Sequence, residues 1–483
     1  MSLKTKISLK NFFIFNSTFC TNESEDEKKI LFFHPDDSDN NEKLKEVGFV
    51  EALVKFTGSF SFDETTSSDV HTMKTSKTLK LFFEPEPDFV IVLTINNPFE
   101  RKEKDKKEYI DYHSDDVSES VFKKVIQRAY FHFRLFCSTF KSNMTGDDRE
   151  EQLQSLRNKL ENFYTRYLLT LNLHNADIID SIDCLQFKPV THLIFFRIVN
   201  FLNVVTSMKN LGIKKCIFLF NQEVVYSSIH PRCLYVLNEY LNDSLFRKFA
   251  QRRNSISFDN DRSAGCFVFE HESETINTAP TVYLRQDNNR NDVKAYRMVT
   301  YTVLDVSLVM FVEDDPKYLN DEFVSEIKYS IGPQLSLISK EISDNCLQFQ
   351  QQNSKNLAAS PDAVQEKYIY FNHKNFRFHA CFYDSDSVVS HREGRKTQLS
   401  TSVMNLLCDL YAKEEEEDNG SLISTEKETI IKTFNDYWLC CKNFNNRSLY
   451  LIIHKSSTLL DIAEESQRLL SEIVKNVYFT NQQ

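Results

Sequence analysis

The chain has 483 residues, 41% of them apolar and 13% aromatic, a composition typical of a globular protein. This length predicts about three domains. The eight glycines are all ten or more positions apart, which excludes a dinucleotide fingerprint, a P-loop, a kinase phosphate loop and a nucleophile elbow, because each needs at least two glycines within about six residues. The net charge of −11 argues against sequence-independent binding to nucleic acid, which depends on Lys and Arg neutralising phosphates.

The N-terminal part of the chain is predicted to form an α+β domain. Its apolar runs predict strands at 12–15, 30–33, 78–83 and 89–95, with a helix at 41–60 between the second and third strands. Apolar residues at spacings of three and four then predict two long helices, at 122–140 and 153–171. This order of elements, in which strands and helices do not alternate regularly, is typical of an α+β domain.

The same order of elements recurs twice more along the chain. The second set comprises a tight hairpin at 215–227 that turns at Asn221-Gln222, a helix at 231–246, strands at 281–285 and 303–312, and a helix at 321–347. The third set comprises a strand at 367–372, a helix at 397–412, strands at 429–434, 437–441 and 449–454, and a helix at 459–474. The polar stretch that begins QFQQQNSK predicts a linker over 348–366. The chain is therefore predicted to contain three tandem α+β modules.

No chemistry-bearing cluster emerges from the cysteines and histidines. The 11 Cys include no Cys-x-x-Cys and only one adjacent pair, Cys440 and Cys441, which favours reduced thiols in a cytoplasmic protein. His379 beside Cys381, and the pair His271-Glu272, come nearest to a ligand set, but neither has the spacing of a metal site. We expect no catalytic residue, metal or cofactor. We also expect no membrane span, because charged and polar residues interrupt the most apolar stretch, at 192–205.

The helix predicted at 41–60 carries two apolar stripes instead of one. At about 100° per residue, one stripe consists of Leu44, Val47, Val50 and Val54, and the other, roughly 140° round the axis, consists of Phe49, Leu53, Phe56 and Phe60. A helix that lies on one sheet needs a single stripe. The second stripe is therefore either buried under the long helices of the same chain or a docking surface for a partner.

The run RKEKDKK at 101–107 is predicted to lie in a loop between elements of the first module. One interpretation is a solvated loop. The other is contact with an anionic membrane surface, to which each nearby Lys or Arg contributes about 1 kcal/mol. The basic residues of this candidate membrane patch are Arg101, Lys102, Lys104, Lys106 and Lys107.

Six segments resemble the Ccz family, one subunit of the Mon/Ccz complex of endosome maturation. They are ILFFHP at 30–35, NEKLKEVGFVEALVKFTGSF at 41–60, FFEPEPDFVIVL at 82–93, IGPQLSLIS at 331–339, YIYFNHKN at 368–375 and NDYWLCCKNFNNRSLYLII at 435–453. The resemblance implies three longin domains, each a mixed, mostly antiparallel sheet flanked by helices. They would occupy residues 1–180, 181–347 and 367–483, with the linker at 348–366.

The resemblance also implies a non-hydrolytic function without a cofactor. Members of the family pair with a Mon subunit through their first longin domains, and the two act as a guanine-nucleotide exchange factor for the late-endosomal Rab GTPase. A third subunit with a β-propeller, and peripheral recruitment of a cytoplasmic complex to late-endosomal and lysosomal membranes, are further expectations. The alternative is a non-catalytic longin scaffold for membrane-trafficking complexes.

The first-domain helix is the expected partner and GTPase interface. The residues predicted for it are Leu44, Val47, Phe49, Val50, Leu53, Val54 and Phe56. Charged substitutions at Val47 and Val50 are expected to abolish assembly while leaving the isolated fold intact.

Overall fold

The computed structural model describes residues 4–20, 23–58, 70–104, 107–144, 148–182, 184–186, 190–255, 265–270, 275–285, 293–358, 367–373, 375–382, 397–418, 427–433, 437–454 and 456–474. The chain divides into two compact units. The first unit comprises Met1–Ile182 together with Leu399–Glu416, and the second comprises Asp183–Gln398 together with Glu417–Gln483.

The first unit is built on a five-stranded antiparallel sheet. Its strands are β1 (Ser8–Asn16), β2 (Ile30–His34), β3 (His71–Lys74), β4 (Thr78–Glu86) and β5 (Phe89–Asn96), in the order β2-β1-β5-β4-β3. The four predicted strands are confirmed. The short edge strand β3 was not predicted, because HTMK has no apolar run.

Helices cover both faces of this sheet. They are α1 (Asn40–Gly58), α2 (Glu119–Cys137), α3 (Arg149–Thr170) and the short α4 (Ile178–Ser181). Helix α1 packs on the face that carries Phe13 and Val92. On the opposite face, Phe12 of β1 contacts Tyr164 of α3, whose ring stacks on Phe133 of α2 at 5.8 Å. The sheet is therefore buried on both sides, and the predicted helices of this domain are confirmed within the described residues.

A buried ion pair fixes α4 against α2. The guanidinium of Arg128, on α2, donates to a carboxylate oxygen of Asp180 at 3.0 Å, and both residues are almost fully buried. Asp180 also closes the capping box at the start of α4 by accepting from the backbone N–H of Asp177. The pair joins the end of the first domain's sequence to its long helices.

The predicted loop at 101–107 is wrong, because most of that run forms a hairpin. Strands β6 (Phe99–Lys104) and β7 (Lys107–Tyr112) form a separate two-stranded antiparallel sheet. Lys102 forms an ion pair with Asp111 diagonally across the two strands, whereas Glu103 and Glu108, which lie directly opposite each other, carry like charges. Because β6 consists almost entirely of charged residues, apolar periodicity does not detect this strand pair.

The second unit begins with the two-residue strand β8 (Leu185–Gln186) and helix α5 (His192–Ser207), followed by a six-stranded sheet. The strands of this sheet are β9 (Ile213–Phe220), β10 (Glu223–Ser227), β11 (Cys266–Val268), β12 (Thr281–Arg285), β13 (Val293–Val303) and β14 (Val306–Glu313). Their order is β10-β9-β14-β13-β11, with β12 also paired to β13. The predicted tight hairpin is confirmed, because Asn221 and Gln222 both have positive φ, as a two-residue type I′ turn requires.

Two helical regions accompany this sheet, and each contains a π-helical segment. The first is α6 (Pro231–Tyr240), the π segment Leu241–Phe246 and α7 (Arg247–Ser255). The second is α8 (Asp321–Glu326), the π segment Ile327–Ile331 and α9 (Gly332–Ala358). Helix α9 continues through residues 348–358, so that part of the predicted linker is helical. The sequence of residues 348–358 is rich in Gln, a good helix former, and contains neither Gly nor Pro, which allows the helix to continue.

The third sheet also belongs to the second unit. Its own strands are β15 (Lys367–Asn372), β16 (Arg377–Ala380), β17 (Lys427–Lys432), β18 (Tyr437–Phe444) and β19 (Arg447–His454). The order is β17-β18-β19-β15-β16-β8, and among the described strands of this sheet β8 alone pairs in parallel, with β16. Two helices follow its hairpins in sequence, α10 (Thr401–Asp418) and α11 (Leu459–Val474). Helix α11 packs on the face that carries Cys440 and Leu451.

All three sheets repeat one strand order. Numbered within each repeat, and leaving out β12, which pairs with β13 beside the main path of the second sheet, the strands lie in the order second, first, fifth, fourth, third. Helices α1, α6 and α10 each follow the second strand of their repeat. The predicted repeat of architecture is therefore confirmed without visible sequence identity between the repeats. Helix α10 is grouped with the first unit although its own strands lie in the second.

Candidate interaction surface

The structure contradicts the prediction that Val47 and Val50 of α1 belong to a partner interface. Val47 is 2% exposed and Val50 is 0% exposed. They lie in an apolar cluster with Phe13, Phe15, Phe33, Phe82, Val90 and Val92 of the sheet. Neither side chain is available to a partner in the folded chain. The expectation that charged substitutions there leave the fold intact is wrong for the same reason.

The second stripe of α1 faces outward. Phe49 is 45% exposed and Phe56 is 63% exposed, two helical turns further along, which separates them by about 10 Å along the axis. Leu53 lies between them and is half-buried against the core cluster. Phe60 lies outside the described residues. Phe49 and Phe56 of the second stripe are therefore not buried by the described residues of the chain.

The remaining predicted interface residues, Leu44 and Val54, are half-buried. Val54 packs against the core cluster, which puts it at the edge of the first stripe. The predicted interface therefore has three parts. Val47 and Val50 are buried, Leu44, Leu53 and Val54 are half-buried, and Phe49 and Phe56 are exposed.

The outer surface of α1 is open to a large partner. Lys45, Gly48, Ala52 and Lys55 are exposed, and these small or flexible side chains leave the two aromatic rings accessible. A Cβ added at Gly48 would have no atom within 4 Å. An exposed aromatic pair on a rigidly packed helix has the composition of a protein-binding surface, where aromatic anchors carry much of the binding energy.

Two half-buried carboxylates of α1 are paired with lysines, and one of them, Glu46, ties the helix to the sheet. Glu46 forms ion pairs with Lys80 of β4 and, at 3.6 Å, with Lys10 of β1. Burial alone would raise the pKa of Glu46, but the hydrogen bond and charge of Lys80, assisted by Lys10, lower it below its ordinary value. Glu51 behaves in the same way, since Lys55 and Lys29 overcome the effect of burial on its pKa. Both carboxylates are therefore ionised at neutral pH.

A groove of 510 Å³ runs along the outer edge of β2, between the start of α1 and α3. Arg157 of α3 lines it, and its guanidinium donates to the backbone carbonyls of Ile30 at 3.2 Å and Lys28 at 3.1 Å. Burial lowers the pKa of Arg157. Because Arg157 occupies the carbonyl of Ile30, the first residue of β2, this edge is less suited to strand addition than an open one. The aromatic surface of α1 is the stronger candidate.

The hairpin of β6 and β7 carries the described part of the candidate membrane patch. Arg101 is exposed on β6, and its cross-strand neighbour is the exposed Ile110. Lys102 lies opposite the exposed Tyr109, and its hydrogen bond to Asp111 raises the pKa of Lys102. Tyr109 and Ile110 were missed by the sequence analysis, which considered only the basic run.

The other basic residues of that patch are less defined. Lys106 lies outside the described residues, and only the backbone positions of Lys104 and Lys107 are described, as a cross-strand pair.

The described residues offer few groups for other chemistry. Across them, no set of three or more His, Cys, Asp and Glu side chains could hold a metal ion. His379 shares a hydrogen bond between its Nδ1 and the Tyr368 hydroxyl at 3.1 Å, and burial lowers the pKa of the imidazole. His271 and Glu272 lie outside the described ranges. None of the helices within these ranges combines the length and apolar character that a membrane crossing requires.

Three protein-family models match the chain in series. The description "First Longin domain of INTU, CCZ1 and HPS4" matches residues 9–138. "Intu longin-like domain 2" matches residues 213–332, and "Intu longin-like domain 3" matches residues 362–469. These matches cover all three repeated sheets, so the predicted fold class of three tandem longin-like domains is confirmed.

Relatives from distant organisms match over nearly the whole chain. A Nematostella vectensis protein called "Vacuolar fusion protein CCZ1 homolog" is 30% identical, with 99% of each chain covered. A Xenopus laevis protein of the same name is 29% identical over 98% of this chain and 97% of its own length. A Dictyostelium discoideum protein of that name is 25% identical, with 98% of both chains covered.

Proposed function

Because the chain belongs to the Ccz family of vacuolar fusion proteins, we propose that it is one subunit of a heteromeric guanine-nucleotide exchange factor. It pairs with a Mon subunit through its first longin domain, and the pair activates the late-endosomal Rab GTPase during endosome-to-lysosome maturation. The observation that carries this proposal is the exposed aromatic stripe of α1, Phe49 and Phe56, on a helix whose opposite stripe is buried in the sheet.

Exchange needs a shaped surface and makes no covalent bond. A factor that binds the nucleotide-free GTPase more tightly than the loaded form weakens nucleotide binding by the same factor, because the two binding events are linked. Residues of the Mon subunit and the α1 surface together hold a switch segment of the GTPase in a conformation incompatible with nucleotide and its magnesium. Each subunit supplies part of the site, so this chain alone is inactive in exchange.

The β6–β7 hairpin supports a peripheral role at late-endosomal and lysosomal membranes. Arg101 offers charge to anionic headgroups, and the exposed Tyr109 and Ile110 offer an aromatic and an apolar side chain at the interface. Contact of this hairpin with the membrane orients the complex toward a membrane-anchored GTPase. A third subunit with a β-propeller completes the assembly.

The test is release of a fluorescent guanine nucleotide from the loaded late-endosomal Rab. We expect release to accelerate with this chain and the Mon subunit together, and to stay at the intrinsic rate with either subunit alone. GTP hydrolysis should not change. Fast release with this chain alone would contradict a composite site.

Substitutions on α1 test the surface itself. Phe49→Glu combined with Phe56→Glu should weaken binding to the Mon subunit by more than about tenfold, because aromatic anchors at interfaces contribute about 2 kcal/mol or more. Leu169→Glu is the matched control, since Leu169 is an equally apolar residue of the first unit, on α3, and is 83% exposed. Equal loss in both variants would contradict the proposed surface.

The alternative function is a scaffold without an effect on nucleotide. In that case the assembled complex would bind the Rab and leave the rate of nucleotide release unchanged. The α1 stripe would then serve only the assembly of subunits.

A further inference from the structure

One lysine of the first sheet is buried directly beneath α1. Lys80 lies on β4 and is 5% exposed. On the same face its cross-strand neighbour is Thr94 of β5, whose own neighbour is Asn11 of β1, so three polar residues form a row across this face of the sheet. A buried ammonium is costly unless it is paired. The groups that contact the Lys80 ammonium therefore show how its burial is compensated.

The ammonium of Lys80 is directed at α1. It donates to the carboxylate of Glu46, and it lies 5.0 Å from the centroid of the Phe49 ring, within the range of a cation–π contact. Glu46 and Phe49 are three residues apart on α1, so they lie on neighbouring positions of one helix face. The buried side-chain oxygens of Asn11 and Thr94 have no hydrogen-bond partner among the described residues, so the lysine does not bond to its row neighbours.

Phe49 is therefore not a freely rotating surface ring. One part of it covers the buried ammonium, and the other part is exposed. The cation is itself fixed, because Glu46 holds it and Lys10 holds Glu46 from a second side at 3.6 Å. An exposed aromatic side chain normally loses rotamer freedom when a partner binds, and a ring that is already fixed avoids that cost.

We propose that Lys80 is a positioning residue that holds the Phe49 ring in the orientation in which a protein partner contacts it. The inference rests on the proposed function, since it assigns to Lys80 the preorganisation of the surface offered to the Mon subunit. The contacting atoms belong to Phe49, and Lys80 acts from beneath through its charge.

The first experiment examines the ring and needs no partner. 4-Fluorophenylalanine is incorporated at position 49 of the full chain, and its ¹⁹F resonance is compared between the parent, Lys80→Met and Lys80→Arg. We expect Lys80→Met to shift and broaden the resonance because the cation is lost, and Lys80→Arg to restore most of the parent spectrum. An unchanged resonance in Lys80→Met overturns the positioning role.

The second experiment measures affinity for the purified Mon subunit. Lys80→Met should weaken binding by about three- to tenfold, the range expected from ordering one side chain, and Lys80→Arg should recover most of the loss. In the Phe49→Ala background, Lys80→Met should have no further effect, because no ring remains to be positioned. Equal effects of Lys80→Met in both backgrounds overturn the proposal, since they would indicate general destabilisation.

The two hypotheses fail in different ways. If Phe49→Ala leaves affinity for the Mon subunit unchanged, the proposed partner surface is wrong, and with it the role of Lys80. If Phe49→Ala weakens binding and Lys80→Met does not, only the positioning role is wrong. If Lys80→Met lowers the midpoint of urea unfolding, the same two measurements are made on Glu46→Gln, because this variant removes the negative charge that holds the ammonium and leaves the lysine in β4. Unchanged ring spectrum and affinity in Glu46→Gln would then overturn the proposal.

Discussion

Placing a charge at Val50 should unfold the first sheet, whereas placing the same charge at Phe49 should not. The two residues are adjacent in sequence, but Val50 is 0% exposed in the core cluster and Phe49 is 45% exposed. Comparing Val50→Asp with Phe49→Asp therefore tests directly which stripe of α1 faces the sheet.

The expected cost at Val50 has two parts. Removing a fully buried valine side chain costs about 1.5–3 kcal/mol. A carboxyl among apolar side chains has its pKa raised by about 3–5 units. At pH 7 the folded state then keeps its proton while the unfolded carboxyl, with a pKa of about 3.9, is ionised, so the carboxyl adds about 4 kcal/mol, which is about three pH units at about 1.4 kcal/mol each. The sum of about 5–7 kcal/mol is comparable to the total stability of a typical domain, about 5–15 kcal/mol.

Hydrogen exchange followed by mass spectrometry provides the assay, because it reports on β1 and β5 separately from the other two sheets. We expect both strands to lose protection in Val50→Asp and to keep it in Phe49→Asp. The cost should diminish in acid, since the raised pKa lets the folded state keep its proton while the unfolded carboxyl ionises above about pH 4. Val50→Asn lacks that pH dependence. Parent-like protection in Val50→Asp would refute the packing of α1 described above.

Three further predictions concern other parts of the chain. Changing the five basic residues within 101–107 to Ser should weaken binding to anionic liposomes, by an amount that shrinks as salt rises; equal binding of both proteins at low salt would argue against membrane contact. Because the pKa of Glu46 is lowered in the folded state, its contribution to stability is present above its unfolded value and is lost as pH falls through the folded value. Urea titrations across this range should find that dependence reduced in Glu46→Gln, and identical pH profiles would contradict it. Gly212→Ala should lower Tm, because Gly212 has φ +62° and an added Cβ would lie 2.5 Å from Cγ of Tyr318; Gly48→Ala, in open space on a helix, is the control and should gain up to about 1 kcal/mol.

The sequence was sufficient for the elements that carry a local signal. Apolar runs located β1, β2, β4 and β5, and Asn221-Gln222 between two apolar runs located a hairpin turn, since Asn tolerates positive φ. Strand β13 was missed, since Lys, Arg and Thr interrupt its apolar residues and leave no long apolar run. The hairpin of β6 and β7 was missed because β6 consists almost entirely of charged residues and has no apolar run.

The candidate partner surface on α1 could be predicted only in part, because the sequence does not show which of its two apolar stripes is buried. Helical periodicity separated the two stripes of α1, but it could not decide which stripe faces the sheet, since both are apolar. That choice depends on side chains from four strands, such as Phe33 and Val90, that are far apart in sequence. Lys80 gave no signal at all, because a lysine that alternates with Leu79 and Leu81 has the pattern of a solvent-facing strand residue.

The position of α10 has a consequence for the synthesis of the protein. Residues 399–416 are grouped with the first unit, where Asn405 donates to the backbone carbonyl of Asp115 at 3.0 Å. A ribosome that has completed residue 182 must therefore add about 230 more residues before this helix exists, which takes roughly 10–50 s at about 5–20 residues per second. During that interval the nascent first unit lacks one of its helices, and the residues that α10 will cover remain available to chaperones.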